Sequence, residues 1–319
     1  ETDLAFSGFH VRVVSNVASL ILYLRSYYAG FVSNTPIAPE VTVVAWEGPP
    51  AEIPIPLVPK PPDPGKTRIK EEYADLSDGR VVRKTLTQMV FVFGDQINLA
   101  YGPCTANPNQ VINFINNRYI QRRLEEGCLL LHASAVVAGT EGLVIAGFAG
   151  TGKSTLALHL MRRGFDFLSN DRVLLSKGGE AAVIYGVPKL PRINPGTAIH
   201  NPALAAVLPA PKVAAYRDLP PGELWSLEEK YDVDIGRVFG GGRFKTEARY
   251  AALVVLNWRR ESRPVAIRRV DLAAAPHLYP SFMKAPGLFY WLRGGAPEEV
   301  RAEDYTACLL YTSPSPRDS

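Results

Sequence analysis

A glycine-rich run between two apolar segments constrains this chain more than any other feature. Residues 147 to 154 read Gly-Phe-Ala-Gly-Thr-Gly-Lys-Ser, directly after a predicted strand, Leu143 to Ala146, and at the start of a predicted helix, Lys153 to Arg163. Glycines allow successive backbone N–H groups to approach phosphate oxygens closely, and the start of a helix adds favourable partial positive charge. This order of strand, loop, lysine, hydroxyl and helix predicts an α/β fold that binds the phosphates of a nucleotide.

Each position of this loop has an expected role. Lys153 is placed to reach the β- and γ-phosphates, and the Ser154 hydroxyl is placed to bind Mg²⁺. A glycine turn that binds nothing is the alternative interpretation, which the strand before the loop and the helix after it disfavour. The predicted nucleotide-binding residues are Gly147, Phe148, Ala149, Gly150, Thr151, Gly152, Lys153, Ser154 and Thr155.

Composition and charge narrow the class of protein. The 319 residues are 47% hydrophobic and 21% charged, which is typical of a folded soluble chain. A net charge of +4, from 35 basic and 31 acidic residues mixed along the chain, favours neither a nucleic-acid nor a membrane partner. The longest apolar run near the start, Ala18 to Leu24, covers about a third of a bilayer span. We therefore expect a cytoplasmic enzyme or binding protein.

The pattern of the chain changes near residue 126. Residues 1 to 126 read as a small α+β region, in which Asp78-Gly79 predicts a hairpin and Asn109 to Glu126 a helix. Residues 49 to 64 are dense in proline and predict a linker or a long surface loop. Residues 127 to 307 are predicted to form a second domain, built around the glycine-rich loop.

Five more segments complete the prediction for the second domain. Cys128 to Val137 reads as one strand, and Phe165 to Leu168 and Val173 to Leu175 read as two others. Ala251 to Trp258 is apolar apart from Asn257, as expected for a strand that is covered on both faces. Residues 186 to 242 show little periodicity and predict an irregular insertion.

The last residues are predicted to differ in origin from the rest of the chain. Residues 308 to 318 read CLLYTSPSPRD, which matches the translation of an adapter used in DNA library preparation over eleven codons. A natural Pro/Ser-rich tail is the alternative interpretation. We interpret residues 308 to 319 as an artefactual tail. We therefore expect the natural sequence to stop near Ala307 here, with the true C-terminus missing, and we give Cys308 no functional weight.

Two residues outside the loop are candidates for chemistry. Asp171 follows the strand Phe165 to Leu168, and strand ends at the loop edge are where an open α/β sheet binds its ligand. A carboxylate there could bind Mg²⁺ or accept a proton, although position alone favours a turn residue. His132 lies in an apolar strand, where a histidine is more often a core residue.

Five motifs between residues 129 and 175 occur in a fixed order. They are His132-Ala133-Ser134-Ala135-Val136, the loop 147–154, Leu156-Ala157-Leu158, Arg163-Gly164 and Asp171-Arg172-Val173. As a set they resemble the HPr kinase/phosphorylase family, which has a histidine before the loop and two aspartates 17 and 18 residues after the loop lysine. Asp171 stands at the second aspartate position, whereas Asn170 stands at the first. The chain resembles the HPr-kinase-related kinases, with the B group as the candidate subgroup.

The resemblance implies a fold and an activity. The fold would be a P-loop kinase core of the HPr kinase/phosphoenolpyruvate carboxykinase type, with ATP and Mg²⁺ as cofactors. Asp171 would accept the acceptor's proton and bind the metal with Ser154, and His132 would lie beside the transferred phosphate. The implied function is transfer of the γ-phosphate to a hydroxyl of a protein serine or a small molecule. The family forms hexamers, so the resemblance also allows for a homo-oligomer of this chain.

Other interpretations of the same residues stay open. A P-loop ATPase or nucleotide-dependent switch without an acceptor would use the same loop, and so would a scaffold that only binds nucleotide. Lys189 and Arg192 flank a proline-rich segment that could touch substrate or be an ordinary surface loop. Residues 240 to 245 could form a mobile lid that brings two cations to phosphate, although a plain glycine-rich loop is the more common case.

Overall fold

A computed structural model describes residues 1–35, 38–62, 67–177, 182–227, 229–258, 264–292 and 302–311. The chain forms two compact units. Unit 1 comprises Glu1–Glu126 and Pro286–Glu298, and unit 2 comprises Gly127–Ala285 and Glu299–Ser319. Within the described ranges, none of the helices has the length and apolar character needed to span a bilayer.

Unit 1 is built on one eight-stranded sheet with the strand order β1-β2-β3-β8-β7-β6-β5-β4. Strands β2, β3 and β8 are parallel neighbours, and the other neighbours are antiparallel. The strands and α-helices in chain order are β1 (Thr2–Phe6), β2 (Phe9–Ser15), α1 (Ala18–Tyr27), β3 (Val41–Glu47), β4 (Val58–Pro59), β5 (Glu71–Leu76), β6 (Gly79–Lys84), β7 (Val90–Gly94), β8 (Asn98–Gly102) and α2 (Pro108–Glu125).

Local signals explain several of these elements. The hairpin predicted at Asp78-Gly79 is confirmed, because Leu76 pairs with Gly79 across the β5–β6 turn. The helix predicted from Asn109 is confirmed as α2, which begins one residue earlier at a proline. The proline-rich stretch 49–64 is described as far as residue 62, and its strand β4 lies at the sheet edge, where a missing N–H is tolerated.

The segment 286–292 packs onto α2 within unit 1. The Arg118 guanidinium is buried, lies 4.3 Å from the centroid of the Phe93 ring, and donates a hydrogen bond to the carbonyl of Phe289. Burial lowers the pKa of Arg118 to about 9. The Tyr290 hydroxyl lies 3.2 Å from Asn117 Oδ1. These polar contacts explain why α2 buries so many polar side chains while remaining a helix.

Unit 2 contains a seven-stranded mixed sheet with the strand order β12-β10-β11-β17-β14-β13-β9, in which only β11 and β17 are parallel neighbours. Its α/β elements in chain order are β9 (Leu129–Leu131), β10 (Ala133–Ala138), β11 (Glu141–Gly147), α3 (Lys153–Arg162), β12 (Asp166–Ser169), β13 (Val173–Leu175), β14 (Val183–Gly186), β15 (Arg192–Ile193), α4 (Pro195–Ile199), α5 (Ala210–Asp218), α6 (Pro221–Ser226), β16 (Tyr231–Asp232), α7 (Ile235–Phe239), β17 (Glu247–Leu256) and α8 (Ala302–Tyr311).

The prediction of one strand from Cys128 to Val137 was wrong. The ladder breaks at His132, whose backbone N–H bonds to the carbonyl of Phe282 at 2.7 Å. On one side of the break β9 pairs with β13, and on the other β10 pairs with β11 and β12. The apolar run continues across the break because both strands are buried, so composition alone could not show where the chain changes partners.

A curl of the unit 2 sheet follows from this partner change. Strands β12 and β14 are four places apart in the sheet order, yet they approach each other closely at Gly186. A Cβ atom at Gly186 would lie 2.2 Å from the carbonyl oxygen of Leu168, so only glycine allows this approach. The curl brings the β9–β10 and β12–β13 connections to one edge of the sheet.

Helices and loops cover the two faces of this sheet. Residues of α3 and of α4 to α7 share one apolar cluster, so the stretch predicted as an irregular insertion forms a layer of short helices. Tyr279, Phe282 and Tyr305 belong to the cluster on the other face. Strand β17 begins four residues earlier than predicted, and the expectation that both its faces are covered was wrong, because Ala252 and Val254 are exposed.

The predicted artefactual tail begins inside α8. Residues 308 to 311 continue this helix, and Leu309 is buried in the same cluster as Tyr305. Residues 312 to 319 lie outside the described residues.

Candidate active site

Three strand ends bring the predicted site residues together in unit 2. The glycine-rich loop follows β11, and Asn170 and Asp171 follow β12. Strand β10 runs antiparallel between these two strands, with Ala133 paired to Ala146 at the end of β11. His132, which immediately precedes β10, therefore lies at the same sheet edge as the loop and Asp171.

The backbone of the loop depends on its glycines. Gly147, Gly150 and Gly152 have φ angles of +146°, +81° and +90°, which side chains disfavour. A Cβ atom at Gly147 would lie 2.5 Å from the hydroxyl of Thr151. That hydroxyl donates a 2.8 Å hydrogen bond to the carbonyl of Phe148, which stabilises the loop. Phe148, Ala149 and Gly150 are exposed at the loop tip, and α3 begins at Lys153.

The Lys153 ammonium is folded back onto this loop. Its Nζ donates to the carbonyl oxygens of Gly147 at 2.6 Å and Phe148 at 3.2 Å. Burial lowers the pKa of Lys153, Asp171 opposes this shift, and Lys284 adds to it. Among the residues that the structure describes, the loop carbonyls are the close partners of this ammonium, and a bound phosphate would be a stronger one.

Asn170 connects the loop to strand β10. Its Oδ1 accepts hydrogen bonds from the Ser154 hydroxyl at 2.6 Å and from the Ser134 hydroxyl at 2.7 Å. Ser134 is fully buried in β10, so Asn170 is held from inside the fold. The Thr155 hydroxyl, predicted to hold nucleotide, lies 3.0 Å from that of Thr197 in α4.

Asp171 is held in an uncommon backbone conformation. Its φ angle is +70°, a region that aspartate tolerates better than most residues, at a cost of about 1–3 kcal/mol. The buried hydroxyl of Ser169 donates to the carbonyl of Arg172 at 2.5 Å and accepts from the N–H of Val187 at 3.0 Å. Ser169 thereby closes the turn that presents Asp171 at the sheet edge.

The carboxylate of Asp171 faces three cationic or titratable groups. Its Oδ1 lies 3.4 Å from His132 Nε2, and its Oδ2 lies 3.7 Å from Lys284 Nζ and 3.8 Å from Arg172 Nε. Burial raises the pKa of Asp171, but the His132 hydrogen bond and the charges of Lys284 and Arg172 outweigh it, so that the net pKa is well below its ordinary value. Asp171 is therefore ionised at neutral pH.

Sequence reasoning missed Lys284. A short segment, residues 282 to 284, lies alongside Leu130 to His132: His132 donates to the Phe282 carbonyl, and the N–H of Lys284 donates to the Leu130 carbonyl at 3.2 Å. Burial lowers the pKa of Lys284; Asp171 opposes this shift, and Arg172 adds to it. No local pattern marks this lysine, because its place in the site depends on a pairing far along the chain.

The weaker candidates have structural partners. Arg192 Nε lies 3.3 Å from Asp232 across the β15–β16 pair. The guanidinium of Arg243, in the segment considered as a lid, pairs with Asp166 and donates to the carbonyl of Phe165 at 2.5 Å. Lys245 Nζ lies 3.6 Å from the same Asp166. The cations of this segment thus fasten it to β12.

Oxygen atoms at the start of α3 and just after β12 fit Mg²⁺. In the described part of the chain, no group of three or more His, Cys, Asp and Glu residues could hold a metal by itself. Mg²⁺ usually takes one or two protein oxygens together with phosphate oxygens and water. Ser154 Oγ and Asn170 Oδ1, 2.6 Å apart, and the neighbouring Asp171 carboxylate form such a sparse donor set.

Comparison with known proteins gives little further information. No protein-family model and no curated protein matches the chain. Among solved structures, the chain is similar to the Hpr(Ser) kinase/phosphatase from Coxiella burnetii, at 18% identity and a TM-score of 0.27. The match covers 43% of this chain and 64% of that chain, which is less than two thirds of its length.

Proposed function

We propose that this chain is an ATP- and Mg²⁺-dependent phosphotransferase that moves the γ-phosphate to a hydroxyl group. One observation carries the proposal: an ionised carboxylate, Asp171, and its partner His132 lie at the strand ends beside a glycine-rich loop with Lys153 at a helix start. Phosphate binding alone would not need a carboxylate there, since a negative charge beside the triphosphate is unfavourable unless a metal or a proton transfer uses it.

The loop would bind the triphosphate through its backbone N–H groups. Lys153 would exchange the carbonyls of Gly147 and Phe148 for the β- and γ-phosphates, so that its ammonium keeps hydrogen-bond acceptors. Ser154, Asn170 and Asp171 would hold Mg²⁺, which supplies positive charge between the phosphate oxygens when it is bound. This arrangement positions the γ-phosphate and neutralises its charge.

Asp171 would act on the acceptor. The acceptor oxygen forms a bond to the γ-phosphorus, the bond from that phosphorus to the β–γ bridging oxygen breaks, and ADP leaves. Asp171 orients the hydroxyl and takes its proton, and the contact with His132 fixes the carboxylate. A weakly basic carboxylate is sufficient because phosphoryl transfer depends mainly on positioning and electrostatic stabilisation.

A label-transfer experiment tests this function. The full chain is incubated with γ-labelled ATP, Mg²⁺ and a cell extract separated into protein and small-molecule fractions. We expect labelled phosphate in one fraction, and its loss with the Asp171→Asn variant, which keeps the size of the side chain and removes the charge. Release of free phosphate alone would contradict the proposal and favour an ATPase or switch, and binding without turnover would contradict any catalytic role.

A further inference from the structure

The site holds more positive charge than the nucleotide lysine alone provides. Among the described residues, Lys284 and Arg172 approach Oδ2 of Asp171 at 3.7 Å and 3.8 Å. Lys153 and Lys189 also interact electrostatically with Asp171. Two cations therefore contact one half-exposed carboxylate, which carries 49% of its full side-chain exposure, and two more interact with it electrostatically. Lys189 also interacts with Asp232. Partly buried cations in such excess are stabilised by a bound anion.

The four cations have different neighbours. Lys153 bonds to the glycine-rich loop, where the triphosphate would bind. Lys284 and Arg172 contact the carboxylate itself, and the proposed function assigns that carboxylate to the acceptor hydroxyl. Both are fixed by backbone contacts, since the N–H of Lys284 bonds to Leu130 and the carbonyl of Arg172 accepts from Ser169. Their charges are thus built into the acceptor side of the site.

We infer that Lys284 and Arg172 bind a carboxylate or phosphate group of the acceptor, so that the acceptor is a small anionic hydroxy compound. The inference rests on the proposed function and adds the class of substrate. A guanidinium beside an ammonium is suited to a planar or tetrahedral oxyanion, because it offers several donors in a fixed geometry. The anion would draw Lys284 and Arg172 away from Asp171, so that the carboxylate could accept a hydrogen bond from the acceptor hydroxyl.

Binding of matched compounds tests the inference directly. The full chain loaded with Mg-ADP is titrated by calorimetry with glycerol 3-phosphate, glycerate and glycerol. We expect the two anions to bind and glycerol not to bind. With Lys284→Gln we expect affinity for the anions to fall by about tenfold or more, the loss of a charge-assisted hydrogen bond, and affinity for Mg-ADP not to fall. Lys212→Gln removes the same charge from an exposed lysine paired with Glu229 and should match the wild type.

Three results would overturn the inference. One is that the Mg-ADP complex binds glycerol as well as it binds the anions. Another is that Lys284→Gln weakens Mg-ADP and the anions equally, which would assign the lysine to the nucleotide. The third is transfer of label from γ-labelled ATP to seryl proteins and not to anionic small molecules, which would leave the proposed function standing. Failure to bind Mg-ADP at all would overturn the proposed function and this inference together.

Discussion

Replacing Asn170 tests the connection between the loop and strand β10. In Asn170→Ala the fully buried Ser134 hydroxyl loses its acceptor, which costs about 1–3 kcal/mol of unfolding free energy. The Ser154 hydroxyl lies at the loop, where water can replace the lost bond, so it adds little. Ser134→Ala removes one hydrogen bond and costs about 0.5–1.5 kcal/mol. The double variant should therefore lose about 1 kcal/mol less unfolding free energy than the two single variants lose together. In the Ser134→Ala background, Asn170→Ala leaves no buried hydroxyl without an acceptor.

Urea unfolding of the wild type, the two single variants and the double variant measures this coupling. Asn170→Asp is the control, since it keeps an acceptor oxygen for both hydroxyls and should lose less stability than Asn170→Ala. Strictly additive costs, or an Asn170→Ala variant as stable as Asn170→Asp, would show that Asn170 does not stabilise the fold through these two hydrogen bonds.

Three further predictions concern the same unit. Gly186→Ala should lower the unfolding free energy by more than about 3 kcal/mol, because its Cβ would lie 2.2 Å from the Leu168 carbonyl oxygen. Gly222→Ala is the control, since its Cβ would have no neighbour within 4 Å and should not destabilise the fold. Thermal melting compares the two variants. Arg243→Gln should lower the melting temperature and leave Mg-ATP affinity unchanged in calorimetry, and a selective loss of affinity would restore the lid interpretation. Asp171→Asn should be less stable than the wild type at pH 7. Urea unfolding should show this difference in unfolding free energy vanishing as pH falls below 3.8 towards the lowered native pKa, because the wild-type carboxylate becomes protonated. A difference that stays constant with pH would contradict the pKa shift.

Local features of the fold could be predicted from the sequence. The glycine-rich loop is encoded by eight contiguous residues whose backbone angles depend on glycine at three positions, and the Asp78-Gly79 hairpin is encoded by its turn. The β1–β2 hairpin was missed although its signal is present: buried residues alternate along both strands, and Ser7-Gly8 supplies a turn with positive φ angles.

Partner choice in the sheet could not be predicted in the same way. The break at His132 depends on Phe282, and the short helices α4 to α7 are stabilised mainly by their shared cluster with α3. Five- to nine-residue helices have weak intrinsic signals and need such packing. Lys284 belongs to the site for the same non-local reason, so its role appears only once the strands have their places.

The proposed function depends on binding of Mg-ATP at the glycine-rich loop, which isothermal calorimetry measures. The wild-type chain should bind Mg-ATP, and Lys153→Ala should lose most of that affinity because the phosphates lose a charged donor. Lys212→Ala should bind as the wild type does. A wild-type chain that binds no Mg-ATP, or a Lys153→Ala variant that binds it equally well, would contradict the account.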